Sequence, residues 1–208
     1  MKYWLMKTEP EEFSIADLAK RRLEPWSGVR SMFARFHMRN MTVGDAVLFY
    51  HSSCNPPGVA GLAKVAKVGV IDETQFDSKS KYYDEKSTRE KPRWDCVEVE
   101  YVKTLPNPVL LERIRGEKKL ANMVLLKQGR LSVQPVEQAE YEHIVSLAET
   151  SWEPPPKPKV KKPVAKQPAA KQQPAARQKT RSTTSAPYGR TASTRRISRR
   201  RRSSSLTG

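Results

Sequence analysis

The sequence changes character after Trp152, and this change limits how much of the chain can fold. Residues 153–208 contain 16 Lys and Arg residues but a single acidic residue, and they hold 8 of the 16 prolines. Large apolar side chains are few there, so burial cannot offset the entropy lost on ordering. We therefore predict a disordered basic tail at 153–208 and one folded domain at 1–152, a usual length for a single core.

Nearly all the excess charge lies in that tail. Residues 1–152 carry 23 basic and 21 acidic side chains, whereas the whole chain has a net charge of +17. With Tyr188 as its single aromatic residue, the tail lacks a stacking ladder, so we predict phosphate contacts without base preference; a merely solubilising tail is the alternative. The predicted contact residues form basic clusters: Lys161, Lys162, Arg195, Arg196, Arg199, Arg200, Arg201 and Arg202.

Cysteine spacing and hydropathy indicate the compartment. Cys54 and Cys96 lie far apart and form no Cys-x-x-Cys pair, which argues against a zinc finger or a disulfide framework. No apolar run approaches the roughly 18 residues of a membrane span, and the amino terminus lacks a signal-peptide core. We expect a monomeric domain without a membrane partner, intracellular: cytoplasmic or nucleoid-associated in a bacterium, nuclear in a eukaryote.

Short apolar runs separated by Gly and Pro predict a sheet. Trp94 to Leu105 alternates with a period of two, which is typical of a half-buried antiparallel strand, and Pro106 and Pro108 are predicted to end it. Val43 to Gly61 has the pattern of a strand, a polar loop and a second strand, with His51 and Ser52 at the exit. Further strands are predicted at 3–6, 59–71, 122–126 and 131–133.

Capping signals predict short helices around this sheet. Ser14 followed by Asp17 is typical of a capping box, and Ser31 is a candidate N-cap for a helix ending at Arg39. We also predict a helical turn at 109–115 and a final helix from Pro135 to 149. The predicted fold is α+β, with a small, mainly antiparallel barrel flanked by short helices.

Catalytic motifs are scarce. The three histidines show no metal-binding spacing, and there is no glycine-rich phosphate loop or Gly-x-Ser-x-Gly sequence. His51 and Cys54 could form a nucleophilic pair, but loop hydrogen bonding is the better interpretation. Arg35 and Arg39 share a helix face, either as phosphate contacts or as a solvated basic surface. We predict a non-catalytic protein without a metal or cofactor.

Eight short blocks follow one another over about residues 1–150: residues 3–10 (YWLMKTEP), 26–30 (WSGVR), 49–52 (FYHS), 57–61 (PGVAG), 74–77 (TQFD), 83–84 (YD), 92–94 (PRW) and 130–135 (RLSVQP). In this order the blocks resemble the EVE domain family. The resemblance implies a PUA-like barrel related to the YTH readers of methylated RNA. It also implies a non-catalytic pocket for a modified base, with 5-methylcytosine and its oxidised forms in DNA favoured over RNA.

By position, the resemblance implies the following pocket residues: Lys7, Thr8, Trp26, Arg30, Tyr50, His51, Ser52, Gln75 and Ser132. Trp26 either lines the pocket or closes the barrel, and Tyr50 is expected to be buried. For Gln75 and Ser132, a pocket-lining role and a purely structural role both remain open. The family usually has an acidic residue at the position of Ser27. It usually has amide side chains at three further positions, where this chain has Ser31, Phe33 and Phe36, so the rim of this pocket is less polar.

Two other functions remain open for the same pocket: a hydrolase or nuclease, and a small-molecule sensor tethered by the tail. Burying one methyl group contributes about 0.8 kcal/mol, roughly fourfold in affinity, so a methyl mark alone gives modest selectivity. Polar contacts to the base edge or avidity from the tail would have to add to it.

Overall fold

The computed structural model describes residues 1–153 and contains six strands and five α-helices within them. The strands are β1 (Tyr3–Thr8), β2 (Leu23–Pro25), β3 (Ala46–His51), β4 (Gly58–Ile71), β5 (Asp95–Leu110) and β6 (Val133–Val136). The helices are α1 (Ile15–Arg21), α2 (Met32–Arg39), α3 (Leu111–Gly116), α4 (Val124–Lys127) and α5 (Gln138–Ala148). The basic tail residues predicted to contact phosphates, Lys161 to Arg202, lie outside the described residues.

The six strands form one sheet in the order β2-β5-β4-β3-β1-β6. Neighbouring strands are antiparallel except β1 and β3, which run parallel with Lys7 opposite Tyr50 and Thr8 opposite His51. Side chains from β5 and from β6, near opposite ends of the sheet, enter the same buried cluster, and α2 packs against both strands. The sheet therefore curls around its core, and the predicted α+β, mainly antiparallel fold is confirmed.

Both faces of the central strands are buried. Trp4 and Met6 of β1 point into the cluster beneath α2, whereas Leu5 points into a second cluster that includes Ile114 and Ile144. The same alternation in β3 explains why its apolar run is continuous, because a strand covered on both faces needs no polar side. None of the helices within residues 1–153 is long and apolar enough to cross a bilayer.

The predicted helix starts at Ser14 and Ser31 are confirmed. The Ser14 side chain accepts from the Asp17 N–H while the Asp17 carboxylate accepts from the Ser14 N–H, which completes the capping box. Ser31 accepts from the Ala34 N–H at 3.4 Å and begins α2. These local signals fix the two helices that flank the loop around Trp26.

The prediction that the prolines at 106 and 108 end a strand was wrong. β5 continues to Leu110, because Gly61 pairs with Thr104 and Val59 pairs with Val109, which leaves residues 105–108 as a bulge opposite Ala60. Residues in a bulge need not donate to the ladder, so proline is tolerated there. Consequently the predicted helix at 109–115 begins only at Leu111.

Two further predictions near the carboxyl end of the domain were wrong. Residues 122–126 were predicted to be extended, but α4 forms there, where Leu125 packs into the second core cluster. Pro135 was predicted to begin the last helix, but it lies in β6 opposite Trp4. β6 is at the end of the described sheet, where a missing donor costs little.

Candidate functional site

A cleft of about 940 Å³ opens where β1 ends. Its walls come from the loop after β2, the exits of β1 and β3, the long loop containing Tyr82, and residues 129–132. Six of the nine predicted pocket residues line it: Lys7, Thr8, Trp26, Arg30, Ser52 and Ser132. The cleft is within the size range of ligand sites in proteins.

Trp26 forms the aromatic wall of the cleft. Its backbone N–H donates to Val97 O at 2.8 Å, which extends the β2–β5 pairing by one residue. The ring meets Phe49 edge-on, with centroids 5.4 Å apart, and only 7 % of Trp26 is exposed. Trp26 therefore packs into the core and also lines the cleft.

Arg30 uses its guanidinium to connect three segments. Nη1 donates to Asp72 Oδ2 at 2.7 Å, Nη2 donates to Thr74 Oγ1 at 3.0 Å, and Nε donates to Tyr82 O at 2.8 Å. The guanidinium also lies 5.2 Å from the centre of the Trp94 ring. Because most of its donors are engaged, Arg30 stabilises the wall and retains few donors for a ligand.

Asp72 is the buried anion that holds Arg30. Its side chain is 2 % exposed and also accepts from the N–H groups of Gly28 and Thr74. Burial alone would raise the pKa of Asp72, but the hydrogen bonds from Arg30, Thr74 and Gly28 outweigh it and lower the pKa below the usual 3.8. Asp72 is therefore ionised at neutral pH, and the pair fixes the loop that follows Trp26.

Gly28 and Tyr82 are in close contact across the same wall. Gly28 has φ +79°, and a Cβ atom there would lie 2.6 Å from Tyr82 Cε2. The absence of a side chain lets the Tyr82 ring pack directly on the backbone. The sequence prediction missed Tyr82 as a lining residue; the available signal was an aromatic pair, Tyr82 and Tyr83, in the otherwise polar loop.

Lys7 lines the cleft without a carboxylate partner. Its Nζ donates to Gly129 O at 2.7 Å and lies 5.6 Å from the centre of the Tyr50 ring. Partial burial lowers the pKa of Lys7 to about 8. The ammonium is thus mostly charged at neutral pH and keeps two protons for other acceptors.

Several donors of the cleft are free for a ligand. The hydroxyls of Ser27 and Ser132 and the guanidinium of Arg130 line the cleft, and none of them is hydrogen-bonded to another group in residues 1–153. Arg130 was not predicted, although it stands beside a predicted residue in the 130–135 block. Three carboxylates, those of Glu9, Glu12 and Glu24, also line the cleft, so its charge is mixed.

His51 lies beside the cleft but does not line it. Its Nε2 accepts from the Ile15 N–H at 3.1 Å, which satisfies a free donor at the start of α1. Burial lowers the pKa of His51, more than the nearby Glu11 raises it, and the neutral ring required for this bond is thereby favoured. The ring also packs edge-on against Phe49. The contact of His51 is therefore structural.

Gln75 and Tyr50, like His51, do not line the cleft, and Tyr50 is buried, as expected for it. Gln75 is fully buried, where its amide donates to Asp72 O and Trp94 O and accepts from Trp94 N–H, so it anchors the long loop to β5. Tyr50 is 3 % exposed and lines a separate cavity of about 280 Å³.

Arg35 and Arg39 are bound to the protein itself. Both donate to Asp95, with Nε–O distances of 2.7 and 2.8 Å, and the side chain of Arg35 is only 14 % exposed. This pairing lowers the pKa of Asp95, although burial opposes it. The half-exposed Arg39 can still face a phosphate, whereas Arg35 is held by Asp95 and lies 5.7 Å from the centre of the Trp94 ring. Over residues 1–153 no group of His, Cys, Asp or Glu is arranged to hold a metal ion.

Comparison with known proteins gives a consistent result. A sequence model of the EVE domain matches residues 2–147. Human thymocyte nuclear protein 1 is 37% identical over 166 residues, which cover 71% of this chain and 74% of the relative. A solved structure described as a hypothetical protein from Leishmania major is 47% identical, with a TM-score of 0.70 over 72% of this chain and 95% of that chain.

A second solved structure is informative about ligands. It is the human THYN1 protein in complex with DNA that contains 5-methylcytosine. That protein is 36% identical to this chain, with a TM-score of 0.69 over 73% of this chain and 99% of that chain.

Proposed function

This chain belongs to the EVE domain family, and on that basis we propose that it is a non-catalytic nucleic-acid-binding protein whose cleft takes one modified base. The observation that supports the proposal most directly is the composition of the cleft. One aromatic wall, Trp26, faces the same space as the free hydroxyls of Ser27 and Ser132 and the cations of Lys7 and Arg130. A base removed from its stack needs such a face and such donors.

The complex of the related human THYN1 with 5-methylcytosine DNA supports the choice of nucleic acid and of base. We therefore favour 5-methylcytosine or one of its oxidised forms in DNA. Contact with an aromatic side chain contributes about 1–3 kcal/mol per base, and the extra methyl adds about 0.8 kcal/mol. Most of the affinity is thus common to all bases, and selectivity for the mark is expected to be modest unless Ser27 or Ser132 contacts the base edge.

Two observations support a binding role over a hydrolase or nuclease that uses the same cleft. His51 Nε2, which would have to act as a base, already accepts from Ile15 N–H. Burial raises the pKa of Cys54 and Glu11 raises it further, so the thiolate that a nucleophile requires is disfavoured. The small-molecule sensor is distinguished by experiment, since it would bind a free ligand without any preference for oligonucleotides.

The decisive experiment measures affinity for matched oligonucleotides with cytosine or 5-methylcytosine at one position. Trp26→Leu keeps an apolar side chain but removes the stacking face, and we expect a loss of about 5–150-fold. Ser132→Ala should lose about 2–10-fold, while the matched control Ser146→Ala, on the surface of α5, should lose nothing. Equal affinity for all oligonucleotides, unchanged by both cleft variants, would refute the proposal.

For the tail we propose contacts with the phosphate backbone. If 6–10 phosphates are neutralised, affinity should fall about 10³–10⁵-fold between 50 and 200 mM salt. Deleting residues 153–208 should flatten this dependence, and an unchanged slope would contradict the tail contacts. The names of the relatives support a nuclear location if the source is a eukaryote. A fluorescent fusion of the full chain would test it.

A further inference from the structure

A second cavity of about 280 Å³ adjoins the cleft. Lys7 and Gly129 line both spaces, and the hydrogen bond between Lys7 Nζ and Gly129 O joins them. Ser52 and Ser53 also line both. A ligand in the cleft that is longer than one base therefore has an adjacent space to enter.

The Tyr50 hydroxyl is an unused donor in this second cavity. Tyr50 is 3 % exposed, but its hydroxyl has no hydrogen-bond partner in residues 1–153. Within residues 1–153, Arg113 Nε is the one buried polar side-chain atom that is sealed from solvent and has no hydrogen-bond partner. The Tyr50 hydroxyl also has no partner, so it cannot be sealed from solvent. It is open to the cavity that Tyr50 lines. Buried phenols usually find a partner, and here a ligand can supply it.

Arg115 is a free cation at the same cavity. It is exposed at the end of α3 and forms no ion pair or hydrogen bond within the described part of the chain. Tyr50 and Arg115 line the same cavity. Burial and the nearby Cys54 raise the pKa of Tyr50 to about 12, while the charge of Arg115 acts in the opposite direction. Two unengaged donor groups thus face one small space.

The charge of this cavity differs from that of the cleft. Lys7 and Arg115 line it and no carboxylate does, whereas three carboxylates line the cleft. Besides Ser52, Ser53 and Gly129, the rest of the wall is apolar and consists of Pro57, Leu111, Leu125 and Leu126. Cations and a hydroxyl above an apolar floor match a phosphate attached to a sugar, because the phosphate oxygens accept from Arg and Tyr while the sugar carbons contact leucines.

We propose that this second cavity is a phosphate subsite that holds the phosphate next to the base in the cleft. The inference rests on the proposed function for the identity of the base, but the cavity's own groups define the phosphate site. Arg115 and the Tyr50 hydroxyl donate to the phosphate oxygens, and Lys7 lies between base and phosphate. Tyr50, expected from the resemblance to line the base pocket, acts here on the backbone of the nucleic acid.

The test compares ligands with and without a phosphate by calorimetry on the full chain. The probes are 5-methyldeoxycytidine, its 5′- and 3′-monophosphates, inorganic phosphate and a short oligonucleotide that contains the same base. The variants are Arg115→Gln and Tyr50→Phe, with Lys118→Gln as a control that removes one exposed charge from a nearby turn without lining the cavity. Tyr50→Phe keeps the buried ring, so the fold should persist.

We expect one monophosphate to bind at least tenfold more tightly than the nucleoside, and Arg115→Gln to remove that advantage while leaving nucleoside binding unchanged. Tyr50→Phe should remove part of it and Lys118→Gln none. If only the oligonucleotide gains affinity and loses it in Arg115→Gln, the phosphate is that of a strand and not of a free nucleotide.

The opposite results separate the two proposals. Equal affinity for nucleoside and both monophosphates, with an Arg115→Gln variant that binds the oligonucleotide normally, overturns the phosphate subsite and leaves the base cleft intact. A loss in Lys118→Gln as large as in Arg115→Gln also overturns it, because the effect would then be general charge. Binding of inorganic phosphate that depends on Arg115, without binding of any nucleoside, refutes the base cleft and supports the subsite.

Discussion

Replacing Asp72 by Asn tests whether Arg30 supports the cleft or binds the ligand. The substitution keeps the shape of the side chain but removes the charge that holds the Arg30 guanidinium. The Asp72 side chain is 2 % exposed and that of Arg30 is 22 % exposed, so the remaining cation has only partial access to water. The cleft wall formed by Gly28 and Tyr82 should loosen as a result.

The expected magnitude follows from this burial. Breaking a buried ion pair by removing one partner costs about 3–5 kcal/mol. Because Arg30 is partly exposed and Asn still offers one acceptor, we expect the lower end, about 3 kcal/mol. For a domain of this size that corresponds to a fall in Tm of about 6–12 °C.

Thermal unfolding followed by circular dichroism measures this change. Glu85→Gln is the matched control, since it makes the same carboxylate-to-amide change at an exposed side chain in the same loop. The difference between wild type and Asp72→Asn should be full above pH 3.8 and should disappear as the pH falls through the lowered pKa of Asp72. If Tm falls by less than about 2 °C while oligonucleotide binding is lost completely, Arg30 is a ligand contact and the reasoning is wrong.

Three further predictions concern single residues. Gly28→Ala should cost about 1–2 kcal/mol for its positive φ and more for the contact with Tyr82. Urea unfolding should therefore show a larger loss of stability than for Gly44→Ala, where φ is +91° and the surrounding space is open. Equal losses would contradict the contact. Because the pKa of His51 is lowered in the folded state, its contribution to stability should be complete above pH 6.5 and should be lost as the pH falls through the lowered pKa. His51→Gln should remove this pH-dependent step from the stability profile. An unchanged profile in the variant would contradict the prediction. For Lys7, with a pKa of about 8, affinity for an oligonucleotide should weaken between pH 7 and 9 in wild type but not in Lys7→Arg, and parallel curves would exclude a contact by its ammonium.

Much of the fold could be predicted from local sequence. The capping residues Ser14 and Ser31 act on their own helices, so their patterns predicted α1 and α2 correctly. Pro106 and Pro135 led to wrong predictions, because whether a strand tolerates a proline depends on the residues that pair with it across the sheet. A bulge opposite Ala60 and a position at the end of the sheet made both prolines acceptable, and neither is visible in the nearby sequence.

The sequence predicted which segments form the site, but not which side chains are free for a ligand and which are bonded within the protein. The resemblance brought Lys7, Trp26 and Ser132 to one cleft, which the geometry also does. It could not indicate that Gln75 is fully buried or that Arg30 is bound to Asp72, because the partners of these side chains lie on other segments. Similar residue types would suit a ligand contact or an internal brace, and only the three-dimensional arrangement separates the two.

The single parallel pair of the described sheet, β1 and β3, has a consequence for how this cleft could diversify. Both chains leave the sheet in the same direction, with Thr8 beside His51, so two loops of independent sequence begin at one edge. Substitutions, insertions or deletions in either loop can reshape the mouth of the cleft without altering the hydrogen-bonded register beneath it. One scaffold can therefore carry loops that recognise different ligands.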